Sequence, residues 1–299
     1  MDRFHLMSVY VAVAEEQGFA SAARRLGLSP PAVTRAVAAL ERRLGVKLLN
    51  RTTRYVRTSE AGQRYLADAR RVLAAADAID EAVSGANATP RGSLTVTAPV
   101  MFGRMFVMPG IVEYLQTFAD IEISALFLDR DVNLLEEGVD VAVRIGDLPD
   151  SSLRALSVGT VRQVVCAAPE YLRKHEPPSS PRDLAGHCLI ASSAAGASLN
   201  WRFNSDRGER SPRLKPRLTV TSNDAAIEAA LRGFGITRLL SYQVARHVAA
   251  GELQLLLEPF EPAAWPIHVV HHQGRQASAT VRSFIDFIAA KMRADEMLK

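Results

Sequence analysis

At 299 residues the chain is too long for one ordinary core and is expected to divide into two or three domains. With 48% apolar and 23% charged residues it reads as globular, and no apolar run reaches the ~18 residues of a membrane-spanning helix. The formal charge of +4 sits in the first third: residues 1–90 carry thirteen Lys and Arg against nine Asp and Glu, and residues 91–299 carry twenty-three of each. A localised basic excess suits phosphate binding and makes affinity fall with salt, although this one is modest. Asp2, Glu15 and Glu16 interrupt the N-terminal sequence, which argues against a secretory leader and for a cytoplasmic protein.

In chain order, Phe19-Ala20-Ser21-Ala22-Ala23-Arg24-Arg25 reads as a short helix closed by a turn at Gly27-Leu28. A second helix opens at Ser29, a good N-cap, and Pro30 and Pro31 fall in the first turn, where a missing N–H costs nothing. Gly27 and Gly45 suit the left-handed residue that follows a helix. Val33, Ala36, Val37, Leu40 and Leu44 recur at helical spacing as a buried stripe, leaving Thr34, Arg35, Ala38, Arg42 and Arg43 on a small, basic outer face. A plain amphipathic helix would share that face. Turn, cap, small residues and charge together favour a helix-turn-helix whose second helix enters a major groove.

Residues 46–58 alternate loosely, with Arg51, Arg54 and Arg57 at intervals of three, and read as a basic hairpin or wing beside that helix. Thr58 is expected to cap the next helix, with Glu60 near its positive end. From residue 58 to about 86 the pattern is one long helix. Leu66, Ala69, Leu73, Ala76 and Val83 form a narrow stripe, Tyr65, Val72 and Ile79 flank it, and Asp80 interrupts it. Such a stripe suits self-association, or packing against the helix's own domain. The Pro/Gly-punctuated stretch at 84–92 is placed as a hinge. Beyond it, strands are expected at 93–98, 121–128, 139–144, 161–167, 189–192, 217–221, 236–240 and 267–271, with a helix at 107–117. Strands alternating with helices imply a mostly parallel α/β sheet.

The first sixty residues resemble the winged helix-turn-helix of LysR-type transcriptional regulators. The likeness lies in the opening helix at 4–16, Phe19-Ala20-Ser21-Ala22-Ala23, Leu26-Gly27-Leu28-Ser29, Ala32-Val33-Thr34-Arg35, Leu40-Glu41-Arg42-Arg43-Leu44-Gly45, Leu48-Leu49-Asn50-Arg51 and Thr58-Ser59-Glu60-Ala61-Gly62. Carried over by position, it implies DNA contacts from Ser29, Pro31, Thr34 and Arg35 on the helix and from Arg51 in the wing, where Arg54 is a further candidate. The family often has Gln where this chain has Pro30, which removes a side-chain donor. The resemblance also implies an α/β fold overall. A winged helix-turn-helix spans 1–58 and a linker or dimerisation helix with its hinge spans 59–90. A two-lobed, periplasmic-binding-protein-like effector domain spans 91–299, lobe I being about 92–161 plus 268–299 and lobe II 162–267. Expected partners are double-stranded promoter DNA, a small-molecule effector of anionic character, a second or further copies of the chain in a homodimer or homotetramer, and RNA polymerase. Neither a cofactor nor a membrane is expected.

Open α/β sheets bind ligands at the carboxyl ends of their strands, and two lobes create a cleft there. The candidates are Ala98-Pro99-Val100, Asp129, Arg144, Ser192, and Ser222 with Asn223, which would also cap the following helix. Each could equally be a cap or turn. Arg144 could clamp a carboxylate or pair with Asp140, Asp147 or Asp150. The family usually has a Ser or Thr pair near Ala98-Pro99; here those positions are apolar. Cys166 and Cys188 read as reduced thiols, and His268, His271 and His272 lack metal-ligand spacing. No nucleophile elbow, P-loop or catalytic constellation stands out. The readings left open are a ligand-responsive transcription factor, a solute-binding or enzymatic α/β protein with an incidental helix-turn-helix, and a DNA-binding protein whose lobes only assemble.

Overall fold

Helix α1 (Arg3–Glu15) leads into α2 (Phe19–Arg25) and α3 (Pro30–Leu44). The computed structural model describes residues 2–51, 56–84, 89–148, 153–193, 201–204, 214–272 and 278–299. The chain divides into two units. The first is Met1–Thr89 with the short segments Leu135–Gly138 and Arg275–Ala279; the second is Pro90–Leu134, Val139–Gly274 and Thr280–Lys299.

In the first unit Leu6, Val9, Tyr10 and Val13 of α1 meet Ala22 and Ala23 of α2 and Val33, Ala36, Val37 and Leu40 of α3 in one buried cluster. Small alanines let the helices approach closely, which raises packing density in a core with few large side chains. Gly27 and Gly45 take positive φ, 64° and 69°, as the turn and the helix end require. Two details differ from expectation. Leu44, expected in the buried stripe, is 38% exposed, because it is the last helical residue before Gly45 turns the chain away. Ser29 stands at the N-cap, but its hydroxyl makes no capping bond. Pro30 and Pro31 have no N–H to offer, and the first amides available, Ala32 and Val33, donate to the Ser29 carbonyl at 2.9 and 3.2 Å.

The wing is a two-stranded ribbon, β1 (Leu49–Arg51) antiparallel to β2 (Val56–Thr58), in register from Leu49↔Thr58 to Arg51↔Val56. Helix α4 (Glu60–Ser84) follows. Its cap is Ser59 rather than Thr58, which is held in the ribbon opposite Leu49. Ser59 Oγ accepts from Gly62 N at 2.9 Å and donates to Lys47 O at 2.7 Å. The start of α4 is bolted to its own unit. Tyr10 Oη donates to Gly62 O at 2.8 Å, the Tyr10 and Tyr65 rings meet edge to face at 5.6 Å, and Arg70 reaches Glu15 at 2.8 Å. A side chain at Gly62 would place its Cβ 2.0 Å from Leu48 O, so only glycine permits this approach. The stripe proposed for self-association is therefore partly used at home: Leu66 packs against the unit's core and Ala69 is fully buried. The side chains of Ile79, Asp80 and Val83 lie outside the described residues.

The second unit runs β3 (Gly92–Ala98), α5 (Val100–Phe102), α6 (Met108–Thr117), β4 (Ile121–Phe127), β5 (Val141–Ile145), β6 (Leu153–Val161), β7 (Gln163–Ala167), α7 (Pro169–Lys174), β8 (Leu189–Ser192), β9 (Leu218–Val220), α8 (Asn223–Leu231), β10 (Ile236–Leu240), α9 (Ser241–Ala249), β11 (Gln254–Leu256), β12 (Trp265–His272) and α10 (Ala279–Ala294). One sheet has the order β4-β3-β5-β12-β6 and the other β11-β7-β10-β8-β9. Both are mixed rather than mostly parallel. Strands β3, β4 and β5 run parallel, as do β8, β9 and β10, whereas β12 is antiparallel to β5 and β6, and β7 to β10 and β11. Arg162 alone separates β6 from β7 as the chain passes from the first sheet to the second. The return passage lies between Phe260 and Trp265, so β12 joins the first sheet from Trp265 rather than from residue 268.

The sequence pattern does not announce strand β6 as a separate element. Its burial alternates weakly, and it contains Gly159, whose Cβ would lie 2.3 Å from Leu298 O. The first helix of lobe I also begins earlier than residue 107. From Val100 it passes through a π-helical turn, Gly103–Val107, into α6, with Met108 N–H reaching the Gly103 carbonyl. Gly103 and Pro109 look like breakers in the sequence. Yet Gly103 is demanded by the Phe127 ring, 2.4 Å from where its Cβ would be, and Pro109 sits in the first turn of α6.

Candidate DNA interface and effector cleft

On α3, Ser29, Pro31, Thr34 and Arg35 are all exposed and lie within its first turns, opposite buried Val33, Ala36 and Val37. Thr34 Oγ1 donates to Pro30 O at 3.0 Å, so its hydroxyl proton is committed within the helix and its remaining capacity is that of an acceptor. Ser29 Oγ, relieved of capping, keeps its donor and acceptor capacity. Arg51 lies in β1; its side chain, and the whole of Arg54, fall outside the described residues.

A residue that sequence reasoning passed over fixes the wing. Glu41, half-buried on the last turns of α3, accepts from Leu48 N at 2.9 Å and Leu49 N at 3.1 Å through one carboxylate oxygen. Recognition helix and wing are thereby joined by charge-assisted bonds. Burial, with the Glu41 carboxylate as the next cause, pushes the Tyr10 hydroxyl up to about 12. Two unpaired amides beginning a strand after a helix were the available signal.

In the second unit the expected strand-end residues are mostly engaged in local hydrogen bonds, and Val100 and Asp129 bond to each other. Ala98 is buried, and its carbonyl accepts from Leu128 N at 2.9 Å. Pro99 O accepts from Gly103 N at 2.7 Å, and Val100, 40% exposed, donates its N–H to Asp129 Oδ1 at 3.0 Å. Ser222 is the cap of α8, its Oγ accepting from Ala225 N at 3.2 Å; Asn223 is the first helical residue. Ser192 ends β8, half-buried. Arg144 makes neither a clamp nor an ion pair with Asp140: its Nη2 donates to Val132 O at 2.6 Å and steadies the loop after Asp129, while Asp140 accepts from Thr95 N at 2.7 Å. Burial raises the Asp140 carboxyl above its ordinary value.

The lobes touch through residues that the sequence reading did not select. Tyr242, at the start of α9, lies edge to face with Phe102 at 5.3 Å and Phe106 at 5.5 Å. All three rings are buried, at 2%, 0% and 7% exposure. Arg104 of lobe I reaches Asp224 of lobe II at 3.3 Å. The Tyr242 hydroxyl is pushed well up, chiefly by burial, with Asp129 and Asp224 acting in the same direction. It therefore lies in the field of a carboxylate from each lobe. Tyr242 follows the end of β10, so the strand-end rule would have found it had that strand been followed to its end. Elsewhere, burial pushes the Cys166 thiol up to about 12, which makes it a poor nucleophile.

Comparison with known proteins places this architecture. The family model described as "Bacterial regulatory helix-turn-helix protein, lysR family" matches residues 4–63, and that described as "LysR substrate binding domain" matches residues 87–293. The regulator CrgA of Neisseria meningitidis serogroup B is 32% identical over 96% of this chain and 96% of its own. The regulator DmlR of Escherichia coli is 31% identical over 94% and 92%. The solved structure of CrgA superposes with a TM-score of 0.62 at 31% identity, covering 98% of this chain and 99% of that one. A full-length OxyR variant from Pseudomonas aeruginosa shares the fold, with a TM-score of 0.71 at 17% identity over 100% and 97%. The chain belongs to the LysR family: it is a DNA-binding transcriptional regulator with a C-terminal effector-binding domain.

Proposed function

We propose that residues 1–58 read inverted-repeat promoter DNA, with Ser29, Pro31, Thr34 and Arg35 meeting base edges and phosphates and Arg51 and Arg54 of the wing following the adjacent backbone. Helix α4 and the hinge, 59–90, join this module to 91–299 and to further copies of the chain in a dimer or tetramer. A small molecule taken between the lobes, at Ala98, Pro99, Val100, Asp129, Ser192, Ser222 and Asn223, alters that assembly. The spacing of the reading modules changes with it, as does their presentation to RNA polymerase in the cytoplasm. Arg144 acts by holding the loop that carries Asp129. Coupling of this kind requires the effector to bind the two assemblies with different affinity.

The observation that carries the DNA half is the exposed Ser29, Pro31, Thr34 and Arg35 surface backed by a helix whose other face is buried. The effector half is supported by strand ends of both lobes lying beside the contact that Phe102 and Phe106 make with Tyr242 and Arg104 makes with Asp224. The test is promoter binding by the full chain carrying Thr34→Ala and Arg35→Ala together, with its oligomeric state checked by sedimentation. Loss of a base-edge pair costs about 1–3 kcal/mol, and loss of a phosphate contact lowers the salt slope by about one. Unchanged affinity and unchanged salt slope in an intact oligomer would remove α3 from the interface.

A further inference from the structure

In lobe II one buried hydroxyl joins two elements in a way that fixes its proton. Tyr171 of α7 is 2% exposed, and its Oη accepts from Cys188 N at 3.0 Å while lying 3.2 Å from His187 Nδ1. The hydroxyl has one proton to give. Were hydrogen on His187 Nδ1, Oη would face two donors, and its own proton would meet no acceptor among the described residues. Leaving a buried donor unpaired is costly. Every group is satisfied only when Tyr171 donates to a bare Nδ1, which makes His187 neutral with its hydrogen on Nε2. His175 is held differently. Its Nδ1 lies 3.0 Å from the Tyr171 carbonyl, an acceptor alone, and its ring stacks on Tyr171 at 4.2 Å. A further proton on His175 Nε2 therefore leaves that bond intact.

The groups around His187 do not offset this. From α7 it faces Tyr171 and His175, the two imidazole centres being 6.5 Å apart. Glu170 and Lys174 of the same helix pair with each other at 2.8 Å, and Arg173 is exposed. From the turn Asp183–Gly186 comes Asp183, whose Oδ2 already accepts from Ser179 and Ser180. From β8 comes Cys188, next along the chain. Burial first, and then His175, hold the His187 imidazole below its ordinary 6.5, with Asp183 opposing.

We infer that Tyr171 and His187 form an acid-released fastening: a proton taken at His187 Nδ1 breaks the bond from Tyr171 and frees the start of β8 from α7. Lobe II thereby responds to acidity separately from any effector. Closed, the fastening holds one proton fewer than when open. It is intact above the ordinary histidine value, weakens as pH falls through 6.5, and levels off below the lowered folded value.

The test uses the full chain and hydrogen exchange read by mass spectrometry. Opening of amides 187–190, corrected for the chemical rate at each pH, should rise severalfold between pH 7.5 and 5.5, and by at most about tenfold for one proton. Exchange at the imidazole Cε1 should give His187 a midpoint below 6.5. His187→Asn leaves an acceptor that cannot be protonated and should keep these amides protected at both pH values. Tyr171→Phe lacks the hydroxyl and should open readily at both. His175→Asn should retain the acid response. Equal wild-type opening at the two pH values would overturn the inference, as would a His187 midpoint at or above 6.5, which decides the matter even if a variant fails to fold. An acid response kept in His187→Asn and lost in His175→Asn would move the switch to the wrong histidine and overturn it too.

Discussion

Replacing Glu41 by Ala strands the Leu48 and Leu49 amides at the point where the chain leaves α3 for the wing. Both residues are buried, at 1% and 3% exposure, so water replaces the lost acceptor poorly. Hydrogen bonds to a charged group contribute about 1.5–3 kcal/mol each. One shared oxygen makes the two bonds less than additive, so the loss is set at about 2–4 kcal/mol. For a unit of this size each kcal/mol lowers the melting temperature by roughly 4–8 °C. The expected fall is therefore on the order of 10 °C or more, confined to the transition of the first unit. Glu41→Gln retains an acceptor and should lose about 1 kcal/mol. Hydrogen exchange read by mass spectrometry on peptides covering 46–51 should quicken in Glu41→Ala, and promoter affinity should fall although Glu41 touches no DNA in the proposed complex. Unchanged exchange over 46–51 together with an unchanged melting temperature would refute the view that this carboxylate fastens the wing.

Gly62→Ala should be among the most damaging single changes in the first unit, because its Cβ would meet Leu48 O at 2.0 Å; a melting curve indistinguishable from wild type would contradict the close approach. Asp140→Asn should raise stability at neutral pH while keeping an acceptor for Thr95 N. With its folded-state pKa raised, the native Asp140 holds a proton that the unfolded chain has released, so wild-type stability falls as pH rises through that window. The advantage of Asn should then shrink as the pH is lowered through the raised value, and an advantage independent of pH would refute the cause given. With a thiol reagent at pH 8, half-buried Cys188 should react before buried Cys166, and Cys166 only on unfolding; equal rates would contradict its burial.

The DNA-reading module was legible because its signals are local. Gly27, Ser29, Pro30, Pro31 and Gly45 each dictate backbone geometry at their own position, and the stripe from Val33 to Leu40 repeats at helical spacing. What stayed hidden depended on partners far along the chain. Glu41 is one more acid in a charged helix until Leu48 and Leu49 come round to it. Ser59 outranks Thr58 as a cap only because the ribbon claims Thr58. In the second unit, Gly103 and Gly159 each mark a place where another element, Phe127 or Leu298, presses on the backbone, a contact that no local pattern announces. The strand-end rule found Val100, Asp129 and Ser222, and it missed Tyr242 because β10 was not followed past Leu240 to the start of α9. Arg144 shows the opposite error, a conspicuous charge with a private structural partner.

The joint between Tyr10, Gly62 and Arg70 gives the reading module the character of a head fixed to a lever. Helix α4 has 25 residues and at 1.5 Å per residue extends about 37 Å. With no soft joint at its near end, a tilt of about 10° at the far end sweeps the module sideways by roughly 6 Å, close to two base-pair steps of ~3.4 Å along a duplex. In the proposed assembly, small rotations among the subunits would thus arrive at the DNA already magnified into whole units of sequence register.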